Sequence, residues 1–398
     1  MTGPLTGLRV VDFGRYIAGP YCAALLADFG AEVIRVEKRD GRDDRTLISL
    51  GEREDGTPCE GAMFLQMNRN KKSLTLDPGS ERGREVIRRL VASADVVIAN
   101  LPRETLKSMG LDYETVSRVN PRAILAVVSA FGLEGPYADR VGFDGVAQAM
   151  SGATHFGGTQ EQPVRAAAPY VDFGTASLLA MGVMAALRSR DQTGKGQLVE
   201  GALLRTAISF FSTMLVEEAV THPDREPSLN RSQTAAPSDV YRTKDGWITV
   251  AVNGDPLFRR AARLIGAPEW LEDPRFASDK SRGDHGELIT ARVADWCRAR
   301  TSDEAIAAFE AARVPAGPVY RMRETLADPH VQASDIFAEV DFPGIGKARV
   351  AATPVKLHAT PGTVRMRAPL LGEHSDAVLQ ELGYSTGEIA QMKADGTV

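Results

Sequence analysis

The sequence predicts an α/β protein built on a parallel sheet, and three observations carry that expectation. Short β-branched runs alternate with stretches of helical period through the first third of the chain. The middle then turns largely helical, and a polar, Pro-containing stretch leads into a hairpin signal. No internal repeat or low-complexity tract interrupts the 398 residues, a length that suits two domains and a substantial core.

The elements follow in order. LRVVDF (8–13) reads as a buried strand. A turn from Gly14 to Gly19 leads to Pro20, which suits the first position of a helix over YCAALLADF, and Gly30 suits its stop. AEVIRVE (31–37) predicts the second strand. SERGREVIRRLVASA (80–94) has apolar residues at helical spacing, and DVVIANL (95–101) is the strand after it. YETVSRV (113–119) predicts a short helix and AILAVVSAF (123–131) a further strand. Strands alternating with helices imply a parallel sheet covered on both faces. From about Asp172 to Glu218 the pattern is helical, with a TGKGQ turn at 193–197. Residues 222–239 read as a linker, and SDVYRTKDGWITVAV as two runs joined across Asp245 and Gly246, a hairpin signature. PLFRRAARLIG and HGELITARVADWCRART are amphipathic helices, and this region closes near residue 333. The tail, 334–398, holds KARVAATPVKLHA and a helix over HSDAVLQELG.

Composition narrows the function classes. Hydrophobic residues are 43% and charged residues 25%, as in ordinary globular proteins. A net charge of -5 and a pI near 5.8 argue against a nucleic-acid partner, while leaving room for a local basic cluster around a small anion. Cys22, Cys59 and Cys297 match no metal spacing and suggest reduced thiols in the cytoplasm. The six histidines form no HxH or HxxxH pair, so no histidine metal site is expected. The N-terminal stretch lacks the charged and apolar regions of a signal peptide. No apolar run approaches the ~18 residues of a membrane helix, so no membrane partner is expected. A strand, a turn and a helix, then a strand ending in Glu37, resemble a dinucleotide site. The turn, however, reads GRYIAGP where the fingerprint needs GxGxxG. The better description is a Rossmann-like topology without the nucleotide fingerprint.

A run of ordered motifs carries a resemblance. PLTGLRVVDFGRYIAGPYCAALLADFGAEVIRVEK, NRNKKSLTLD, ADVVIANL, NPRAILAVVSAFG, GPYADRVGFDGVAQAMSG, AAPYVDFGTA, TGKGQLVEGAL and PLLGEHSDAVLQELGYSTGEIAQMK succeed one another along the chain. Together they resemble the class III coenzyme A transferases, which include formyl-CoA and carnitine-CoA transferases. The resemblance implies an acyl-CoA:carboxylate CoA-transferase that uses CoA as a substrate and holds no permanent cofactor. It also implies a homodimer of interlocked rings. Each chain would carry a Rossmann-like large domain over 1–221, completed by a return segment over 334–398, and a smaller α+β domain over 222–333.

The same resemblance places the site. The family's nucleophilic aspartate falls on Asp172, where the positive end of the following helix favours the ionised carboxylate; from local sequence alone this residue reads first as a helix N-cap, and the two roles are compatible. Lys38 falls near the adenosine end. Leu76, Asp77, Asn100, Leu101 and Pro102 fall on segments lining the nucleotide, and Ile17 and Ala18 join the CoA-binding set. Arg103, Lys107 and Arg140 are cations able to meet phosphate. Gly142, Phe143 and Asp144 align beside the thioester; Asp144 either orients the nucleophile or a main-chain group near it, or caps the helix GVAQAM. Arg15, Tyr16 and Arg165 are positioned to meet a second carboxylate, and dicarboxylates such as succinate are expected donors by analogy. Two departures stand out. Ile17 replaces the glutamine of formyl-CoA transferases, and SLNRSQTAAPSDVYRT has no glycine run to serve as a lid. The racemases of the same family need a histidine base where this chain has Phe143, so transferase chemistry is expected over racemisation.

Overall fold

The computed structural model describes residues 3–41, 43–54 and 56–398. The chain divides into two compact units: one comprises residues 3–151, 166–217 and 334–398, and the other residues 152–165 and 218–333.

The first unit is built on six parallel strands: β1 (Arg9–Asp12), β2 (Glu32–Glu37), β3 (Lys71–Thr75), β4 (Val96–Ala99), β5 (Ile124–Ser129) and β6 (Leu198–Ala202), in the order β3-β2-β1-β4-β5-β6. The expected α/β class and parallel sheet are therefore observed. β6 is a correction, because LVEGA lies inside the stretch read as helical; its half-buried pattern gives no strong strand signal. The helices are α1 (Ala18–Asp28), α2 (Ala62–Met67), α3 (Glu81–Ser93), α4 (Arg103–Ser108), α5 (Tyr113–Val119), α6 (Asp144–Met150), α7 (Ala153–Phe156, in the second unit), α8 (Tyr170–Thr193), α9 (Leu203–Phe210) and α10 (Ser212–Thr221).

Alternation along the strands divides the core in two. Val10, Val33, Ile98, Ala126 and Val128 face α1 and α8, while Val11, Ile34, Val97, Leu125 and Val127 face α3, α4 and α5. Pro20 occupies the third residue of α1 rather than the first, since the helix begins at Ala18. Its missing N–H costs nothing there, because first-turn donors have no partner within the helix.

α8 corrects a second expectation. It is a 24-residue helix long and apolar enough by composition to cross a bilayer. It is instead a core element: Val171, Ala176, Leu179, Val183 and Leu187 are buried with α1 against the sheet.

Beneath the ends of β1 to β3 lies a buried ionic network. Arg45 donates to both oxygens of Glu37 at 2.8 and 2.9 Å, Ser73 Oγ donates to Glu37 at 2.6 Å, and Arg35 donates to Asp44 at 2.6 Å. These neighbouring guanidinium groups outweigh the cost of burial and hold the Glu37 carboxyl down at about 2. Glu37 is thus fully used inside the protein and is not available to grip a ribose, a second argument against the dinucleotide reading.

The second unit holds the antiparallel sheet β7 (Ser238–Arg242), β8 (Trp247–Ala251) and β9 (Ala316–Pro318), with the expected turn across Asp245 and Gly246. Its helices are α11 (Asp255–Leu264), α12 (Asp279–Asp284), α13 (Gly286–Arg298), α14 (Ser302–Ala311), α15 (Met322–Ala327) and α16 (Pro329–Ala333), around a core that includes Tyr241, Ile248, Phe258, Val293 and Phe309. The chain then returns to the first unit with the hairpin β10 (Phe337–Phe342) and β11 (Gly346–Ala351), then α17 (Ser375–Glu381) and α18 (Thr386–Ala394).

Candidate active site

Connections from β1 run outward through β2 to β3, and those from β4 run the other way through β5 to β6. The sheet therefore has its topological switch point between β1 and β4, where open α/β sheets bind ligands beyond the carboxyl ends of their strands. A cavity of about 810 Å³ lies there within the first unit. Residues following β1, β4 and β5 line it, together with Asp172 from α8 and Leu203 from α9.

The loop after β1 is held by a side chain from the end of β4. Asn100 Oδ1 accepts from the Arg15 N–H at 2.7 Å, and Asn100 Nδ2 donates to the Arg15 carbonyl at 2.8 Å. Tyr16 follows with φ 59°, a left-handed conformation that costs a non-glycine residue about 1–3 kcal/mol and so needs such a clamp. The Arg15 side chain runs to Asp44, 3.7 Å away in the buried network. Gly142 is small for a reason: a Cβ there would meet Ala130 Cβ at 2.9 Å and the Phe131 ring at 3.4 Å.

Asp172 sits in the first turn of α8, at its third residue, and the N-cap is Pro169, which supplies no side-chain bond. The capping reading of Asp172 is therefore replaced. Asp144 performs the task from across the unit: its Oδ2 accepts from the Val171 N–H at 2.8 Å and the Asp172 N–H at 3.0 Å. Asp144 also does not cap its own helix by side chain, since Phe143 is the N-cap of α6. Gln148, one turn on, donates to Asp144 Oδ1 and accepts from the Ala166 N–H at 2.9 Å. Gln148 was missed in the sequence, although its spacing of four from Asp144 on one helix is a usable signal.

This arrangement sets the electrostatics. The helix terminus that would favour an ionised Asp172 is already occupied by the negative charge of Asp144. Burial first, and then Asp144, push the Asp172 carboxyl up to about 7. Among the described residues none donates a hydrogen bond to its oxygens. The result is a carboxylate of unusual basicity facing a cavity, as nucleophilic or general-base chemistry needs. If the ionised form reacts, kcat/KM should fall about tenfold per pH unit below a midpoint near 7. Asp144→Asn removes the like charge and should move that midpoint down; a pH–rate profile that is flat between 5.5 and 8 would contradict this.

The sequence-predicted residues divide clearly. Ile17, Ala18, Asn100, Leu101, Pro102, Lys107, Arg140, Gly142, Phe143 and Asp172 line the cavity, as do Arg15, Tyr16 and Arg103. Lys38, Leu76 and Asp77 do not. They lie at the ends of β2 and β3, in the outer half of the sheet. The Asp77 N–H donates to the Thr397 carbonyl at 2.8 Å, Leu76 is 1% exposed in the core, and the Lys38 carbonyl accepts from Gly41 at 3.0 Å. Arg165 belongs to the second unit. The three cysteines are free and buried, and among the described residues no cluster of metal-ligating side chains is found.

Fold and cavity define an α/β protein with a carboxyl of raised pKa at the switch point of its sheet. The profile of the CoA-transferase family III matches residues 5–375, and the chain belongs to that family. Among its relatives, the succinyl-CoA–D-citramalate CoA-transferase of Chloroflexus aurantiacus is 34% identical over 98% of this chain and 97% of its own length. The formyl-CoA:oxalate CoA-transferase of Bradyrhizobium diazoefficiens is 33% identical over 100% of this chain and 98% of its own. The crystal structure of a CAIB/BAIF family protein from Brucella suis is 32% identical, covers 96% of this chain and 100% of that one, and superposes with a TM-score of 0.82. The chain is an enzyme that transfers coenzyme A.

Proposed function

We propose that this enzyme moves CoA between an acyl-CoA and a free carboxylate by way of covalent intermediates on Asp172. The observation that carries the reading is the basic, unbonded Asp172 carboxylate in a cavity whose rim holds Arg103, Lys107 and Arg140. An oxygen of Asp172 attacks the thioester carbon; a C–O bond forms, the C–S bond breaks, and CoA leaves as thiolate. The thiolate then attacks the aspartyl carbon of the mixed anhydride. The donor acid departs as carboxylate and an aspartyl-CoA thioester remains. The acceptor carboxylate attacks that thioester to give a new anhydride. Returning thiolate takes the new acyl group and restores the Asp172 carboxylate. No water enters, and no net proton is consumed.

The three rim cations suit the phosphates of CoA, which they would meet by charge-assisted hydrogen bonds. Arg103 donates to the Leu133 carbonyl and Arg140 stacks over the Tyr137 ring at 3.9 Å, so both are aimed by contacts that leave them exposed. Asp144 is a positioning residue that fixes the first turn of α8. A homodimer of interlocked rings is part of the proposal; Leu178, Met181 and Met184 leave an exposed apolar stripe on α8 that suits a partner chain. A cytoplasmic setting accords with three free thiols.

Trapping tests the reading. Incubation with acyl-CoA followed by hydroxylamine should yield a hydroxamate on Asp172, located by peptide mass. Modification of any other residue would overturn the assignment.

A further inference from the structure

We infer that the acyl group handled here is apolar: a monocarboxylic acid with an aromatic or aliphatic chain and no second carboxylate. The inference rests on the Asp172 reading and adds the class of acid.

Three observations carry it. First, the cavity places exposed apolar side chains beside the nucleophile. Phe143 is 67% exposed and immediately precedes Asp144, whose carboxylate binds the Asp172 N–H. The Tyr16 ring meets it edge to face at 5.9 Å, and Ile17 and Val141 line the same cavity. Apolar surface left open in a binding cavity is what a ligand's apolar group covers.

Second, the local field repels a second carboxylate. Asp144 and Asp172 put two acidic groups at this end, and their mutual repulsion helps raise the Asp172 carboxyl. A dicarboxylate would add a third negative charge where water is being excluded.

Third, the cations lining the cavity have other partners or are assigned above to the phosphates of CoA. The Arg15 guanidinium is drawn to Asp44, which also takes Arg35 at 2.6 Å. Arg103, Lys107 and Arg140 are the other cations of the lining; Arg103 is tied to Leu133 and Arg140 to Tyr137, on the loops after β4 and β5. An apolar acid offers no second carboxylate to Arg15 or Arg165, in contrast to the expectation from the sequence.

Identity exchange tests this without knowing the physiological acid pair. Each labelled acid is incubated with its own unlabelled acyl-CoA and the enzyme, and label entering the thioester is counted. Hexanoate and 3-phenylpropionate should exchange with kcat/KM at least about tenfold above succinate. Phe143→Ser and Ile17→Gln should each lower the ratio of apolar to succinate kcat/KM by about tenfold. Both side chains line the cavity, and Phe143 is exposed, so its replacement spares the core. Succinate leading the panel, or a ratio unmoved by both variants, overturns the apolar assignment alone. Absence of exchange for every acid, with no hydroxamate on Asp172, overturns the covalent reading beneath it.

Discussion

Asp172→Asn should lower CoA transfer by about ten-thousand-fold or more, because an amide nitrogen and oxygen cannot form the anhydride that the cycle needs. The same substitution should make the protein more stable, and that opposite sign separates the chemical role from a structural one. The Asp172 carboxyl has its folded value raised from 3.8 to about 7 by burial and by Asp144. A group raised on folding contributes stability that is present below its unfolded value and lost as the pH climbs through the folded one. At pH 8 the ionised carboxylate therefore opposes folding, while asparagine, neutral at every pH, does not. The variant should melt above the parent at pH 8, by on the order of 2 kcal/mol of stability, with the gap closing toward pH 4. A variant that melts lower at pH 8 would mark Asp172 as a structural residue and remove the basis for its assignment.

The fold was legible where the signal was local. β1, β2, β4 and β5 are short β-branched runs, and the β7–β8 hairpin announced itself through Asp245 and Gly246. β6 was hidden because LVEGA owes its strand conformation to pairing with β5, which no pattern within five residues encodes. The site was legible in its chemistry and less so in its placement. Asp172 could be marked by resemblance, yet the expectation that a helix terminus keeps it ionised failed. The competing carboxylate, Asp144, lies 28 residues away in sequence and arrives only through the packing of α6 against α8. Lys38, Leu76 and Asp77 lie outside the cavity lining for a related reason. They do stand at carboxyl ends of strands, but strand order decides which ends surround the switch point.

Stability of the cavity loop depends on a lysine that touches nothing in the cavity. Lys71→Met should destabilise the protein by about 3–5 kcal/mol, the cost of leaving a buried charge without its partner. Lys71 is fully buried, and its Nζ donates to Asp12 Oδ2 at 2.7 Å, to the Pro20 carbonyl at 2.8 Å and to Asn68 Oδ1 at 3.0 Å. Asp12 in turn accepts from the Gly14 N–H at 2.7 Å through its other oxygen. One ammonium group thus ties the start of the 14–20 turn to the first turn of α1, and the strained Tyr16 lies between these two anchors. Methionine matches the aliphatic stem but leaves the buried Asp12 side chain without its ammonium partner. Denaturant unfolding should show the loss, and Asp12→Asn in the same background should recover part of it, since the stranded charge is then gone. A double variant no more stable than Lys71→Met would mean that packing of the lysine stem, and not its pairing with Asp12, holds the turn in place.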